Sequence, residues 1–276
     1  MIAWKEAIAP SLAVGDHRLP CPVCDRGPRD TALSVTVKPE GGMVAHCFRC
    51  GFVGTHREQD QRRGHTDAAQ RKPPSKAVNL SDWGIGFWHQ CKTLSGIAVD
   101  YLKARHCVIP PADGDLRWHP AVKHPSGYTG PALVALVTDV HTRKAKSLHR
   151  TWINGDGTKA ANPARLPLAG HELRNGVIRL WPNEAVTYGL GVAEGIETAL
   201  SLAWGHAPVW ALIDAGHLAK FPPLAGIETL VIACDNDPAG IKAARECAGR
   251  WFAAGVEVIV TRQEQNDLND VAREAA

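Results

Sequence analysis

Val231-Ile232-Ala233-Cys234-Asp235-Asn236-Asp237-Pro238-Ala239-Gly240 is an apolar run that stops at an Asp-x-Asp pair and leads directly into a helix start. The run predicts a buried strand, Thr229 to Cys234, with two like charges at its C-terminal end. Side chains two apart in an extended chain point the same way, so Asp235 and Asp237 converge while Asn236 faces elsewhere. Converging carboxylates repel unless a cation lies between them. Oxygen-only ligands suit magnesium or manganese, which keep positions open for substrate phosphates. Asp237 before Pro238 also reads as an N-cap followed by a first-turn proline. Capping accounts for Asp237 alone and leaves Asp235 unexplained, so the pair is read as a metal site.

A second acid stands at the end of an earlier apolar strand, in Gly191-Val192-Ala193-Glu194-Gly195-Ile196-Glu197-Thr198-Ala199. Gly195 is expected to permit a tight strand-to-helix turn, and Glu197 reads as a first-turn helix acid. The elements around these acids alternate: strand Tyr188 to Ala193, helix Ile196 to Trp204, strand Val209 to Ile213, strand Thr229 to Cys234, helix Pro238 to Ala253, strand Val256 to Thr261. Such alternation predicts a parallel sheet covered on both faces. Ligands of such sheets bind outside the carboxyl ends of the strands, so Glu194 meets the Asp pair if their strands are neighbours.

Upstream, Leu80 to Pro182 holds a helix candidate at Gly96 to Arg105, an apolar strand Ala132 to Val140, a turn at His141 to Lys144 and a second strand Ala145 to Ile153. Thr55 to Asn79 lacks periodicity and reads as a linker. His56 to Lys76 carries six Lys/Arg against three acids, a local basic surplus in a chain whose formal charge is only +3.

Near the N-terminus a short amphipathic stretch, Trp4 to Val14, precedes Cys21-Pro22-Val23-Cys24. The partner motif is Cys47-Phe48-Arg49-Cys50-Gly51, and 22 residues separate the two pairs. Four thiolates in two tight turns meet the requirement of tetrahedral zinc. Alternation at Leu33, Val35 and Val37, followed by the turn Pro39-Glu40-Gly41-Gly42, predicts a hairpin that brings both turns to one end. His46 is read as a hairpin side chain rather than a ligand. The ribbon is open to two roles, a staple alone or a staple that also contacts nucleic acid, with Arg26, Arg29 and Arg49 as candidate phosphate contacts. Cys91, Cys107, Cys234 and Cys247 are scattered singly and read as reduced core thiols.

At 276 residues and 45% hydrophobic content the chain can bury two or three cores. No apolar run reaches the roughly 18 residues that a membrane span needs. A cytoplasmic protein is expected.

Gly191-Val192-Ala193-Glu194-Gly195 followed by Cys234-Asp235-Asn236-Asp237-Pro238-Ala239-Gly240 resembles the Toprim domain shared by bacterial-type primases, topoisomerases and some nucleases. The order zinc ribbon, middle domain, Toprim is similar to primases of the phage and plasmid branch, and Leu148-His149-Arg150-Thr151-Trp152 through Lys159-Ala160 and Ile178-Arg179-Leu180 adds to the likeness. The resemblance implies an α/β chain with a zinc-ribbon domain at 1–55, a basic linker at 56–79, an α+β middle domain at 80–182 and a parallel-sheet, Rossmann-like Toprim catalytic domain at 183–276. It implies a DNA primase that makes short RNA primers on single-stranded DNA from ribonucleoside triphosphates, with structural zinc on Cys21, Cys24, Cys47 and Cys50 and catalytic magnesium or manganese on Glu194, Asp235 and Asp237. A further acid of the family falls in Asn266-Asp267-Leu268-Asn269-Asp270. Asp267 is the candidate, with Asp270 open.

Lys146, Arg150, Lys159, Arg165 and Arg179 are candidates for gripping template or triphosphate oxygens, Arg150 and Lys159 foremost. Trp83, Trp88, Trp118 and Trp152 are read mainly as core, with base stacking as the other use. Any helicase partner is expected to be a separate protein. Competing readings are a Toprim nuclease or topoisomerase-like enzyme, and a non-catalytic zinc-ribbon DNA-binding factor.

Overall fold

The computed structural model describes residues 12–24, 27–28, 30–39, 42–56 and 76–275. The amphipathic start, Arg26, Arg29, the middle of the turn at 39–42 and most of the expected linker lie outside the described residues. The chain divides into a unit at 1–71 and a unit at 72–276.

In the first unit β1 (Gly15–Leu19), β2 (Leu33–Val37), β3 (Met43–Cys47) and β4 (Val53–His56) form an antiparallel meander in chain order. The alternation seen in the sequence is the reason: Leu33, Val35 and Ala45 turn inward with Cys21 and Cys47 into one small core. His46 points out of the sheet and meets the Phe48 ring edge-on at 4.7 Å.

The second unit is built on one nine-stranded sheet. Its strands are β5 (Leu116–Lys123), β6 (Thr129–Asp139), β7 (Ala145–Trp152), β8 (Arg165–Pro167), β9 (Gly176–Arg179), β10 (Gly189–Ala193), β11 (Val209–Ala211), β12 (Thr229–Ala233) and β13 (Glu257–Val260). The helices are α1 (Asp82–Gln90), α2 (Ile97–Ala104), α3 (Ile196–Leu202), α4 (Ala215–Lys220), α5 (Pro238–Ala253) and α6 (Leu268–Glu274). The spatial order is β13-β12-β10-β11-β9-β6-β7-β8, with β5 beside β6. β10 through β13 are mutually parallel, whereas β9 joins β11 and β6 antiparallel. The expected boundary at 182/183 is therefore crossed by a continuous sheet. β9 is a short antiparallel strand that sequence alternation alone did not reveal.

Both faces of the parallel part are covered. Val231, Ala233 and Ala193 face α2 and α3 in one core, and Leu190, Val192, Leu230 and Ile232 face α4 and α5 in another. The near-continuous apolar strands follow from burial on two sides. The end of the expected linker is pinned rather than loose: Ala77 forms a parallel bridge with His171, and its N–H donates to Gly170 O at 2.8 Å. Trp152 and Trp88 are buried, Trp118 is partly so, and Trp83 is exposed and stacks on Phe87. Cys91, Cys107, Cys234 and Cys247 are free and buried, as the sequence reading has them. Among the described residues no helix is long and apolar enough to cross a membrane.

Candidate metal centres

Cys21 and Cys24 follow β1, Cys47 ends β3 and Cys50 lies in the turn after it, so the meander delivers all four thiols to one end. Their sulfurs lie within 4.8 Å of one another. The Cys21–Cys50 and Cys24–Cys47 separations are 3.7 and 3.9 Å. Tetrahedral zinc with about 2.3 Å bonds to sulfur sets neighbouring sulfurs about 3.8 Å apart, so the thiols fit that ion. Backbone N–H groups of Cys50 and Arg49 hold the Cys47 thiol down to about 6. Lost hydration and the neighbouring thiols push Cys24 up to about 12. Arg49, a candidate phosphate contact, is paired with Asp30 at 2.8 Å.

The acidic residues gather at the carboxyl edge of the parallel strands. Ala193 and Ala233 are register partners, so Glu194 and Asp235 leave neighbouring strands at nearly the same level. The Asn236 N–H donates to Asn266 O at 2.6 Å, which ties the Asp235-Asn236-Asp237 turn to the loop carrying Asp267. Gly240 lets this turn fold back on α5: a Cβ there would stand 2.6 Å from Asp235 O. Gly195, expected to supply a special turn conformation, has an ordinary extended φ of −102°. An added Cβ would meet nothing closer than 3.7 Å, so the strand-to-helix turn does not demand glycine there.

Glu194 Oε1 and Asp235 Oδ1 are buried without a hydrogen-bond partner. Burial and the charges of Asp235, Asp237 and Asp214 push Glu194 up to about 7. Burial, Asp267 and Asp237 raise Asp235 to about 6, against the opposing pull of Arg165. Two orphaned carboxylate oxygens among like charges form the kind of environment that a divalent cation relieves. Asp237 caps α5, accepting from Gly240 N at 2.7 Å, and Asp267 caps α6, accepting from Asp270 N at 2.9 Å. The capping role and nearness to the acidic crevice thus coexist. Asp267 acts on Asp235 more strongly than Asp270 does, and Asp270 itself leans toward Arg273 at 3.8 Å.

Sequence reasoning missed Asp214, which also acts on Glu194. It follows β11 by the strand-end rule that picked out Glu194 and Asp235. It caps α4 and pairs with His217 Nδ1 at 2.8 Å. Ile213 before it has φ 75°, a left-handed conformation that costs a β-branched residue energy.

Glu197 is on the first turn of α3, as expected, but it is 2% exposed and does more than complement a helix end. It accepts from Tyr101 Oη at 2.7 Å and pairs with Arg165 at 3.1 Å and Lys159 at 3.7 Å. These partners outweigh its burial and hold it down to about 2. Lys159 is thus engaged from within, close enough to sense Asp267. Arg150 donates to Pro167 O at 3.1 Å and lies over Trp152 at 5.2 Å. Arg165, by contrast, is among the largest influences on Asp235, pulling its carboxyl down. Lys146 and Arg179 are buried. Arg179 bonds Asn183 at 2.6 Å, Thr138 and the Val140 carbonyl, so it braces β9 against β6.

A four-cysteine ribbon and a parallel sheet with an acidic carboxyl edge define a two-unit α/β protein with a thiol cluster that fits zinc in one unit and an acidic strand edge in the other. Residues 189–276, spanning β10 to α6, match the family model described as Toprim domain, so the acidic crevice belongs to a Toprim domain. Residues 82–180 match a model described as a domain of unknown function, DUF7146. Among solved structures the chain is similar to the primase fragment of the bacteriophage T7 primase-helicase protein, at 17% identity over 94% of this chain and 95% of that one, with a TM-score of 0.47. It is also similar to the zinc-binding and RNA polymerase domains of the Aquifex aeolicus primase, at 15% identity over 98% and 78%, with a TM-score of 0.45. A third likeness is to a primase domain from Pseudomonas aeruginosa, at 14% identity over 72% and 60%, with a TM-score of 0.35. No curated protein matches the chain.

Proposed function

We propose that the chain is a DNA primase, joining ribonucleoside triphosphates into short RNA primers on single-stranded DNA. The observation that carries this reading is the pair of orphaned buried oxygens, on Glu194 and Asp235, at the carboxyl edge of a Toprim sheet with Arg165 within electrostatic reach. In this reading Glu194, Asp235 and Asp237 hold magnesium or manganese, with Asp267 beside them, and Cys21, Cys24, Cys47 and Cys50 hold structural zinc. The bound divalent ion supplies charge stabilisation to phosphoryl transfer, in which a primer 3′-hydroxyl displaces pyrophosphate.

The chain's own residues do the positioning. Lys159 and Arg165 draw triphosphate oxygens toward the acidic edge. Glu197, itself held by the Tyr101 hydroxyl, fixes both cations, so little side-chain freedom is left to lose on binding. Arg150, held by Pro167 O and Trp152, is assigned to template rather than to the reacting phosphates. No Ser-His or Cys-His nucleophile is needed, because positioning and charge carry this chemistry. A cytoplasmic setting and a helicase partner belong to the same reading.

The test is to incubate the protein with single-stranded DNA, labelled ribonucleotides and magnesium, beside Asp235→Asn. New short oligonucleotides, absent with the variant, are expected. Shortened DNA would instead identify a nuclease, and unchanged bound DNA a binding factor.

A further inference from the structure

A cavity of about 400 Å³ opens where α5 meets β13 and the loop after it. None of Glu194, Asp235, Asp237 and Asp267 lines it. Its apolar wall is built from Ile241, Ala244, Ala248 and Val260. The small side chains on α5 leave a shallow flat surface of the size that single small-molecule ligands occupy.

Two guanidinium groups, Arg245 on α5 and Arg262 after β13, stand at the same opening, both exposed. Among the described residues neither has an ion-pair or hydrogen-bond partner. That contrasts with Arg150, Arg165 and Arg179, each engaged by protein atoms. Planar guanidinium forks match phosphate oxygens two at a time.

Two amides complete the rim and are held still. Gln263 Nε2 donates to Cys234 O at 2.6 Å, and Asn236 Nδ2 donates to Glu264 O at 3.1 Å. Fixing each –NH₂ group orients the amide oxygen; Gln263 Oε1 already accepts from Thr261 Oγ1 at 3.5 Å, so Asn236 Oδ1 is the acceptor placed for an exocyclic amino group.

We infer that this cavity is a nucleoside phosphate site separate from the acidic crevice, with the base against Ile241 and Ala248, the reachable side chains of the apolar wall, and the phosphates on Arg245 and Arg262. Asn236 links the two places: it lines the cavity, and it stands between Asp235 and Asp237 with its N–H on Asn266 O. The inference does not depend on primer synthesis, because it concerns binding at residues that the proposed reaction does not use.

The experiment titrates N-methylanthraniloyl-ADP onto the full chain in magnesium-free buffer, with adenosine and pyrophosphate as separate competitors. Saturable binding is expected, weakened about tenfold or more in the Arg245→Ala/Arg262→Ala double variant and unchanged in Asp235→Asn. Adenosine and pyrophosphate should each displace the probe at least about tenfold more weakly than ADP does. Ala248→Leu, which fills the wall, should weaken ADP while leaving pyrophosphate competition unchanged, and it serves as the test if the double variant unfolds at lower temperature. The inference is overturned by non-saturable binding, by a double variant that binds like the wild type, by loss of binding in Asp235→Asn, or by pyrophosphate competing as well as ADP.

Discussion

The two candidate metal sites are assembled in opposite ways. Four thiols in the ribbon close to within 4.8 Å, each thiol lying in or beside a turn of one small meander. The Toprim acids come from strands and loops far apart in the chain, and they share one sheet edge without closing to ligand distance as the thiols do, with two oxygens still unpartnered and two carboxyls raised to about 7 and about 6. Thiols can lie side by side while protonated, whereas gathered carboxylates repel as soon as they ionise. A closed four-ligand set is the mark of a structural site, and open positions are the mark of a working one. The contrast teaches that the ribbon geometry is already complete for a closed ion site, whereas the acidic edge leaves room for further ligands.

The largest effect should follow from breaking the closed centre. Cys47→Ser is expected to lose zinc and unfold the ribbon, because metal binding to such sites supplies about 10–16 kcal/mol of apparent free energy. Zinc content and far-ultraviolet circular dichroism would check it. The unit at 72–276 has its own cores and should retain its cooperative melt. A melt lost throughout the chain would show the two units to be interdependent.

Next in size is Glu197→Gln, which strips the charge that neutralises Lys159 and Arg165. Removing one partner of a buried ion pair costs about 3 kcal/mol, at the low end of the usual range because Arg165 keeps access to water. Urea denaturation reads this directly, and a loss below about 0.5 kcal/mol would reduce the network to surface pairing.

Asp235→Asn should separate function from stability. Primer synthesis is expected to fall about 10²- to 10³-fold, the usual consequence of removing one charge-stabilising group. In magnesium-free buffer the melting temperature should hold or rise, since a buried like charge is gone. A lower melting temperature would mean that Asp235 serves the fold.

The smallest effect is in pH dependence. A carboxyl raised in the folded state contributes stability that is present below its unfolded pKa and is lost as pH rises through the folded value. Without divalent ions, the difference in melting temperature between wild type and Glu194→Gln should therefore move against the wild type from about pH 4.5 to pH 7, because Glu194 is raised to about 7. Magnesium should restore the wild type, with an affinity that tightens across the same window as protons leave. A flat difference across that range would place Glu194 outside any cation site.

The ribbon was almost wholly legible because its determinants are local: two Cys-x-x-Cys turns and one alternating hairpin. In the Toprim part the helix Pro238–Ala253 agrees with its expected bounds, as an N-cap, an N1 proline and sixteen residues of periodicity make a strong local signal. The strand-end acids were legible for the same kind of reason, and Asp214 would have been found had the rule been applied to Val209–Ile213. β8 and β9 were not legible, because three- and four-residue strands carry too little pattern. The role of Glu197 was hidden too. Its partners Tyr101, Lys159 and Arg165 lie 96, 38 and 32 residues away in the chain, and pairings of that range leave no periodic trace.

By itself the sequence determined which acids stop at the strand ends of Ala193 and Cys234, which cysteines sit in paired turns and the helices near Gly96 to Arg105, Ile196 to Trp204 and Pro238 to Ala253, since these depend on neighbours within a few residues; the short helices Asp82–Gln90 and Ala215–Lys220 went unread. The tertiary structure alone decided that β10 lies between β11 and β12, that Glu194 and Asp235 therefore share an edge, and that Glu197 is buried among cations. Strand order and ion pairing across the fold are set by which distant surfaces exclude water together, a property of the packed chain that no local pattern encodes.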